Sequence, residues 1–382
     1  MNRTQGITAR RQIDFHPVRN PAVRMNGVCP YFTMYPLTFP FGKLANERKE
    51  VRVLDPFCGR GTTNFAARLH GLTSAGIDSN PVAAAVAQAK LASATSAEVV
   101  EACRMALNGG AAHQRPKGEF WELCYHKATL EQICALRSYF QMRPKLTATE
   151  VVLRAVVLGI LHGPLTKGMP TYLSNQMPRT YSTKPGSAVR FWQKRRMKPE
   201  YVSVLGAVKR RAEYLLADLP PGTGGDVRLA DSRNVESYAG LGEFDLVITS
   251  PPYLGMRTYW PDQWLRNWFL GGPEQVEYAR PEQITTQDME PFSVDLASVW
   301  RACAGACTPG ARMIIRFGAL PSYHTEPSGL IKDTLTRADC GWEIRTIKRA
   351  GLASQGRRQA DQFQTKQSEA IEEVDVHCQL AM

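Results

Sequence analysis

The chain has 382 residues, of which 43% are hydrophobic and 21% charged, so it is a globular protein long enough for two domains. It has no apolar run of about 18 residues, which argues against a membrane span, and its polar start shows no secretory signal, so we expect a cytoplasmic protein. The 9 cysteines include no Cys-x-x-Cys pair, which favours reduced thiols and indicates no bound metal.

The net charge of +12 favours a polyanionic partner such as nucleic acid, because binding then releases counterions. A generally basic protein without such a partner would have the same composition. The decision between the two therefore depends on the motifs.

The first informative stretch, residues 51–63, reads VRVLDPFCGRGTT. Its apolar start predicts a buried parallel strand, and the residues after the glycines predict a helix. Gly59 and Gly61 allow backbone N–H groups to approach a ligand closely. The dinucleotide-binding pattern is broken, because Asn64 stands where its third glycine would be, and this disfavours an NAD oxidoreductase.

A second strand is predicted over 75–77, ending at Asp78, and an alanine-rich helix over 82–92. In nucleotide-binding folds, an acidic residue about twenty positions beyond the glycine turn pairs with ribose hydroxyls. We therefore predict that Asp78 binds the ribose of a cofactor.

Residues 96–224 have mostly helical periodicity, with helices predicted over 97–105, 128–140 and 149–161. Towards the end of this region basic and aromatic residues interleave, which suits contact with phosphates and stacking on bases. The alternative is a solvated helix face whose aromatic residues belong to the core. The predicted DNA contacts are Arg179, Lys184, Arg190, Lys194, Arg195 and Arg196.

The α/β pattern resumes with a strand predicted over 227–229, followed by Asp231. The apolar residues Leu246, Val247 and Ile248 predict a further buried strand, which stops before the sequence Ser250-Pro251-Pro252-Tyr253. The two prolines fix φ at two positions and make this loop rigid. Ligands of open α/β sheets bind at the carboxyl ends of the strands, so we expect the loop and the glycine turn at one rim.

Trp260, Trp264 and Trp268 are spaced by four residues on one helical face, which favours core packing, with a wall of the substrate pocket as the alternative. By contrast, the aromatic and proline-rich stretch 31–41 predicts a loop. The other predicted elements are a helix over 294–304, a turn at 309–310, a strand over 312–317, a helix over 327–337 and strands over 342–347 and 370–378.

Asp55-Pro-Phe-Cys-Gly-Arg-Gly and Ser250-Pro-Pro-Tyr together resemble the amino-methyltransferases of nucleic acid. These enzymes use S-adenosyl-L-methionine (SAM) to methylate the exocyclic nitrogen of cytosine (N4) or adenine (N6). The resemblance covers about 30–92 and 225–320 and implies a Rossmann-like class I methyltransferase, an α/β fold with a mostly parallel sheet. The implied organisation is an N-terminal arm and SAM-binding half over 1–95, a helical insert for target recognition over 96–224 and a catalytic half over 225–382.

The resemblance also implies the roles of individual residues. Ser250 and a neighbouring carbonyl would accept the hydrogens of the target amine, and Tyr253 would stack on the base after it flips out of the helix. The implied catalytic residues are Ser250, Pro251, Pro252 and Tyr253, and the implied cofactor contacts are Phe39, Asp55, Phe57, Gly59, Gly61, Thr62, Asp78 and Asp231.

Serine at the first loop position favours methylation of cytosine N4 in DNA, with adenine N6 as the alternative. Two further alternatives are a methyltransferase of RNA bases and an inactive protein that binds nucleic acid. The expected partner is double-stranded DNA, with a restriction endonuclease on a separate chain as a further expectation.

Overall fold

The computed structural model describes residues 13–31, 35–109, 115–164, 171–177, 184–256, 260–277, 283–318, 326–352 and 372–382. The strands in these ranges are β1 (Val53–Asp55), β2 (Ser74–Asp78), β3 (Gly225–Leu229), β4 (Phe244–Thr249), β5 (Cys307–Gly318), β6 (Trp342–Leu352) and β7 (Glu372–Leu380). The α-helices are α1 (Thr38–Leu44), α2 (Thr62–His70), α3 (Pro81–Leu91), α4 (Ser96–Asn108), α5 (Glu119–Cys124), α6 (Lys127–Gln141), α7 (Ala148–Ile160), α8 (Pro185–Lys194), α9 (Val204–Leu216), α10 (Trp264–Phe269), α11 (Met289–Gly305) and α12 (Pro327–Ala338).

The strands form one 7-stranded sheet in the order β3-β2-β1-β4-β5-β7-β6. All neighbouring pairs from β3 to β5 are parallel, whereas β7 runs antiparallel to both β5 and β6. The predicted α/β fold with a mostly parallel sheet is therefore confirmed. The chain order reverses between β1 and β4, and such a switch point leaves a crevice at the carboxyl ends of the two strands.

Local signals explain the elements next to this crevice. The N-cap of α2 is Gly61 with a positive φ of 70°, and the helix ends at Gly71, which also has a positive φ. Helix α3 starts with Pro81 after Asn80, whose side chain accepts hydrogen bonds from the N–H groups of Val82 and Ala83. The strands and helices predicted around both motifs are confirmed to within a few residues.

Two local predictions were wrong. The end of the stretch predicted as a loop is helical, because α1 starts at Thr38 and accommodates Pro40 in its first turn, where no backbone N–H is needed. The turn predicted at 309–310 is a bulge inside β5. There Cys307 pairs with Phe244 and Arg312 with Leu246, so residues 308–311 stand opposite Asp245 alone.

Helices α4–α9 pack on the sheet through one hydrophobic cluster. Val156 of α7 and Val208 of α9 are fully buried in the same cluster as Val53 of β1 and Leu246 of β4. The segment predicted as a helical insert therefore shares a core with the α/β strands. Within the described ranges, no helix has both the length and the apolar character needed to cross a bilayer.

The two glycines of the turn after β1 differ in their surroundings. A Cβ atom at Gly61 would lie 2.8 Å from the backbone of Ala87 in α3, whereas a Cβ atom at Gly59 would meet nothing within 4 Å. Both residues have positive φ angles, 70° and 50°. Position 61 thus requires glycine both for its positive φ and for the close contact between α2 and α3. Position 59 requires it only for its positive φ.

We expect Gly61→Ala to destabilise the fold more than Gly59→Ala. The left-handed conformation alone costs about 1–2 kcal/mol in each variant, and only Gly61→Ala adds the steric clash with Ala87. Urea unfolding of both variants measures the difference. Equal losses of stability would contradict the role of close helix packing.

Candidate active site

The glycine turn is tied to the end of β2 by the carboxylate of Asp78. One of its oxygens accepts a hydrogen bond from Gly59 N and the other from Asn80 N, both at 2.8 Å. Burial raises the pKa of Asp78 to about 6, the two N–H groups oppose this rise, and the nearby charge of Asp55 adds to it. The structure therefore places Asp78 beside the predicted cofactor turn, with the pKa of its carboxyl group raised by burial.

The carboxylate of Asp55 joins the two sequence motifs. Thr249, the last residue of β4, donates to one of its oxygens at 2.7 Å, and Phe57 N donates to the same oxygen at 3.2 Å. Tyr35 donates to the other oxygen at 3.2 Å and is also hydrogen-bonded to Thr63 of α2 at 2.5 Å. Sequence reasoning missed Tyr35, Thr63 and Thr249, although a threonine at the end of an otherwise apolar strand is a recognisable signal.

This network is buried, and Asp55 is only 1% exposed. Burial raises the pKa of Asp55, because it outweighs the hydrogen bonds that stabilise the charged form. Both oxygens are already engaged within the protein. The structure therefore places Asp55 at a buried junction between β1, α2 and β4, rather than on an open wall of the crevice.

The loop after β4 begins with Ser250, which is buried. Its hydroxyl has no partner that meets the geometric limits of a hydrogen bond within the described residues, but it lies close enough to the Tyr253 phenol for a weak side-chain hydrogen bond that lowers the pKa of that phenol. A buried hydroxyl without a regular hydrogen bond is costly, and such groups often face a ligand. Ser250 directly follows β4 at the switch point, which is where a ligand of this fold binds.

Tyr253 is fully buried at the end of this loop. Its hydroxyl donates to Glu373 of β7 at 2.7 Å, and its ring packs edge-on against Phe317 of β5 at 5.4 Å between centroids. Burial, together with the negative charge of Glu373, raises the pKa of Tyr253 well above its usual range. In this conformation the ring offers no exposed face to a base. Sequence reasoning also missed Glu373, whose position follows from the sheet order.

Two of the predicted cofactor contacts, Phe39 and Asp231, already have charged partners within the protein. Phe39 lies on α1, and the guanidinium of Arg316 is 3.6 Å from the centre of its ring. Asp231 follows β3, and both of its oxygens accept hydrogen bonds from Arg233, which also binds Asp295 at 2.8 Å. The contact predicted between Asp231 and the cofactor would share its carboxylate with Arg233.

The other two predicted contacts flank the glycine turn. Phe57 is half-buried before Gly59, with its ring 6.4 Å from that of Trp300 and nearly perpendicular to it. Thr62 is the first residue of α2 and is buried. The structure thus gathers Asp55, Phe57, Gly59, Gly61, Thr62, Asp78 and Ser250 around the ends of β1, β2 and β4.

The predicted DNA contacts lie on and around α8. Five of them are exposed, and none forms an ion pair with any described residue, unlike surface arginines such as Arg104, which pairs with Glu101. The aromatic residue Trp192 of the same helix is fully buried, as expected for the interpretation in which these aromatics belong to the core. The five exposed residues are Lys184, Arg190, Lys194, Arg195 and Arg196; Arg179 lies outside the described residues.

Aromatic contacts connect this basic segment with helices α5 and α10. Trp192 of α8 contacts Phe120 of α5 at 5.7 Å, and Phe120 contacts Trp264 of α10 at 5.1 Å. Trp268, also on α10, lies 4.5 Å from Trp121. Core packing is thus the observed role of Trp264 and Trp268.

The fold and site define an α/β protein of the Rossmann-like type with a ligand crevice at the β1–β4 switch point. No protein-family model and no curated protein matches the chain.

Similar solved structures include several methyltransferases. TrmN from Thermus thermophilus is 10% identical with a TM-score of 0.35, and the match covers 94% of this chain but 53% of TrmN, about half its length. A SAM-dependent methyltransferase from Methanosarcina mazei is 10% identical with a TM-score of 0.35, over 91% of this chain and 98% of that one. The rRNA methyltransferase aviRa from Streptomyces viridochromogenes is 14% identical with a TM-score of 0.36, over 97% and 96% of the two chains. At these scores the fold assignment depends on the strand order described above.

We expect Tyr35→Phe to lower the free energy of unfolding by about 1.5–3 kcal/mol, because it removes a hydrogen bond to the buried charge of Asp55. Tyr125→Phe is the matched control, since that buried hydroxyl donates to the neutral carbonyl of Leu161, and its loss should cost about 1 kcal/mol. Thermal or urea unfolding of both variants provides the comparison. A smaller loss in Tyr35→Phe than in Tyr125→Phe would show that the junction does not stabilise the fold.

Proposed function

We propose that this protein is a SAM-dependent methyltransferase that methylates an exocyclic amino group of a base in DNA, with cytosine N4 favoured over adenine N6. The observation that supports this most directly is the Ser250 hydroxyl, which is buried at the switch point without a regular hydrogen bond in the described residues. A hydroxyl in this situation can accept a hydrogen bond from a target amine. The sequence Ser250-Pro-Pro-Tyr253 suits this chemistry, and its first residue favours cytosine.

The residues at the ends of β1 and β2 fit the proposed cofactor. The side of Gly59 where a Cβ would stand is open, so backbone can approach a ligand there. Asp78 ends β2 and would accept hydrogen bonds from ribose hydroxyls. When bound, SAM supplies a methyl group that its sulfonium already activates.

The protein would contribute positioning rather than covalent catalysis. The lone pair of an exocyclic amine is delocalised into the base, which makes the nitrogen a weak nucleophile. If the Ser250 hydroxyl accepts a hydrogen bond from one N–H of the target amine, this bond fixes the orientation of the amino group. The lone pair of the nitrogen then points away from the bonded hydrogen. Pro251 and Pro252 restrict the loop, and accurate placement of two reactants can lower a barrier by several kcal/mol.

The exposed basic residues around α8 support a nucleic-acid substrate. Lys184, Arg190 and Lys194 have no carboxylate partner in the described part of the chain, so their charges remain available to phosphates. The buried contacts of Trp192 and Phe120 hold this helix on the same core as the site. Nucleic acid bound there would lie against the domain that contains Ser250.

The decisive experiment supplies purified protein with tritiated-methyl SAM and either mixed-sequence duplex DNA or RNA, and identifies the labelled nucleoside by mass spectrometry. We expect N4-methylcytosine in DNA, lost in Ser250→Ala but retained in Ser298→Ala, whose hydroxyl bonds a carbonyl within α11. N6-methyladenine in DNA would show that adenine, and not cytosine, is the target base. Label in RNA alone would show that the substrate is RNA. Binding of DNA without label in either would leave only a binding function.

We expect the affinity for SAM to depend on pH through Asp78. Its pKa of about 6 in the free protein lies above the ordinary value, and ribose hydroxyls favour the carboxylate, so affinity should fall by about tenfold per pH unit below about 6. Asp78→Asn should bind weakly at all pH values, without this dependence. Calorimetric titration with SAM between pH 5 and 8 measures this dependence of affinity on pH. The same dependence in Asp78→Asn would show that Asp78 does not bind the cofactor.

We expect the double substitution Arg190→Gln and Lys194→Gln to weaken DNA binding and to reduce the dependence of log affinity on log salt by about 2, one for each phosphate that the variant no longer neutralises. Arg104→Gln is the control, because this exposed arginine pairs with Glu101 away from α8. Fluorescence anisotropy at several salt concentrations gives the slopes. Equal effects of the control and the double variant would exclude a specific role of α8.

A further inference from the structure

The loop that follows β4 is fastened at its far end by a side chain from the last described strand. Tyr253 donates a hydrogen bond to Glu373 at 2.7 Å, and Glu373 is only 1% exposed. A hydrogen bond to a carboxylate is stronger than one to a neutral acceptor, and it gains further strength away from water. The contact joins residues 120 positions apart in the sequence.

Core residues enclose the ring of Tyr253 on the same side. The ring of Phe317 in β5 lies edge-on to it with 5.4 Å between ring centres, and the ring centre of Phe292 in α11 is 6.1 Å from that of Phe317. Phe317 and Phe292 are themselves fully buried. Moving the ring out to meet a base would give up this packing and the hydrogen bond to Glu373, each of which costs free energy.

The short segment between β4 and Tyr253 has little freedom. At its start, Thr249 pairs with Ile315 of β5 and donates to Asp55. At its end, the ring and the hydroxyl of Tyr253 are fixed in the core, and Pro251 and Pro252 restrict the backbone between them. The position of Ser250 therefore depends on both ends of the segment.

We propose that Glu373 is a positioning residue: it anchors Tyr253 in the core, and this anchor sets the place of Ser250 in the crevice. Tyr253 then holds the loop in place through its hydroxyl, a role that is separate from any contact of its ring with the target base. This inference rests on the proposed methyltransferase function for its kinetic consequences. The anchoring itself is a property of the protein without substrate.

Kinetics of four variants separate the anchor from a stacking ring. Tyr253→Phe keeps the ring and removes the hydroxyl, so an anchor predicts a fall in kcat of about 10- to 100-fold with little change in KM, whereas a stacking ring predicts nearly full activity. Glu373→Leu should match this loss, and Glu373→Gln, which keeps an acceptor oxygen, should recover most of the activity. The double variant Tyr253→Phe with Glu373→Leu should be no worse than either single variant, because both remove one interaction.

Full activity of Tyr253→Phe, or additive losses in the double variant, would overturn the proposal. Tyr125→Phe controls for the loss of a buried hydroxyl elsewhere, and thermal unfolding of every variant shows whether it is folded.

A second measurement tests the anchor without any methyl transfer. Tetranitromethane modifies accessible tyrosines, and peptide mass spectrometry gives the extent at each position. In the unaltered protein we expect Tyr253 to be protected and Tyr201, which is 53% exposed, to be modified. In Glu373→Leu, Tyr253 should become reactive while the fold persists.

The two readouts distinguish failure of the inference from failure of the proposed function. If the unaltered protein transfers no methyl group, the proposed function fails, and nitration alone then decides whether Glu373 anchors the loop. Ready modification of Tyr253 in the unaltered protein, or continued protection in Glu373→Leu, would overturn the anchor even in an active enzyme.

Discussion

The structure of the site depends on the cost of burying the carboxylate of Asp55. A charge removed from water must be met by hydrogen-bond donors, and here they come from Tyr35, Thr249 and the backbone of Phe57. These donors belong to β4 and to segments on either side of β1. The glycine turn and the Ser250 loop are therefore held at one rim by a shared electrostatic requirement, in addition to the pairing of their strands.

Much of the fold was predictable from the sequence because its signals are local. Apolar runs defined the parallel strands, positive-φ glycines defined the turn, and Asp78 followed from its spacing after Gly59. Sequence periodicity carries no comparable information about partners far apart in the chain. The stacking role predicted for Tyr253 came from the family resemblance, which gives no information about the contact that the antiparallel insertion of β7 next to β5 makes between Glu373 and the Tyr253 hydroxyl. Asp231 and Arg233 are close in sequence. The second carboxylate that Arg233 binds, Asp295, comes from α11, and sequence alone does not place that helix beside them.

The helices between β2 and β3 link the two halves of the proposed function. They were predicted as an insert, yet their apolar faces complete the core on one side of the sheet. Aromatic contacts run from α8 through α5 to α10, so these three helices pack on one another. Trp192 of α8 also belongs to the hydrophobic cluster that contains Val53 of β1 and Leu246 of β4, so the basic segment is packed on the same core as these strands and is not a flexible tether.

The position of β7 in the sheet has a consequence for how the chain is made. This strand comes last of the seven along the chain, yet it lies inside the sheet, with β5 and β6 on its two sides. During synthesis, both of these strands emerge first and must wait with open edges, which are prone to wrong pairing. The same late strand supplies Glu373. A ribosome-bound chain that stops short of residue 372 would therefore contain the glycine turn and Ser250, but it would lack the carboxylate that binds the Tyr253 hydroxyl at the end of the loop.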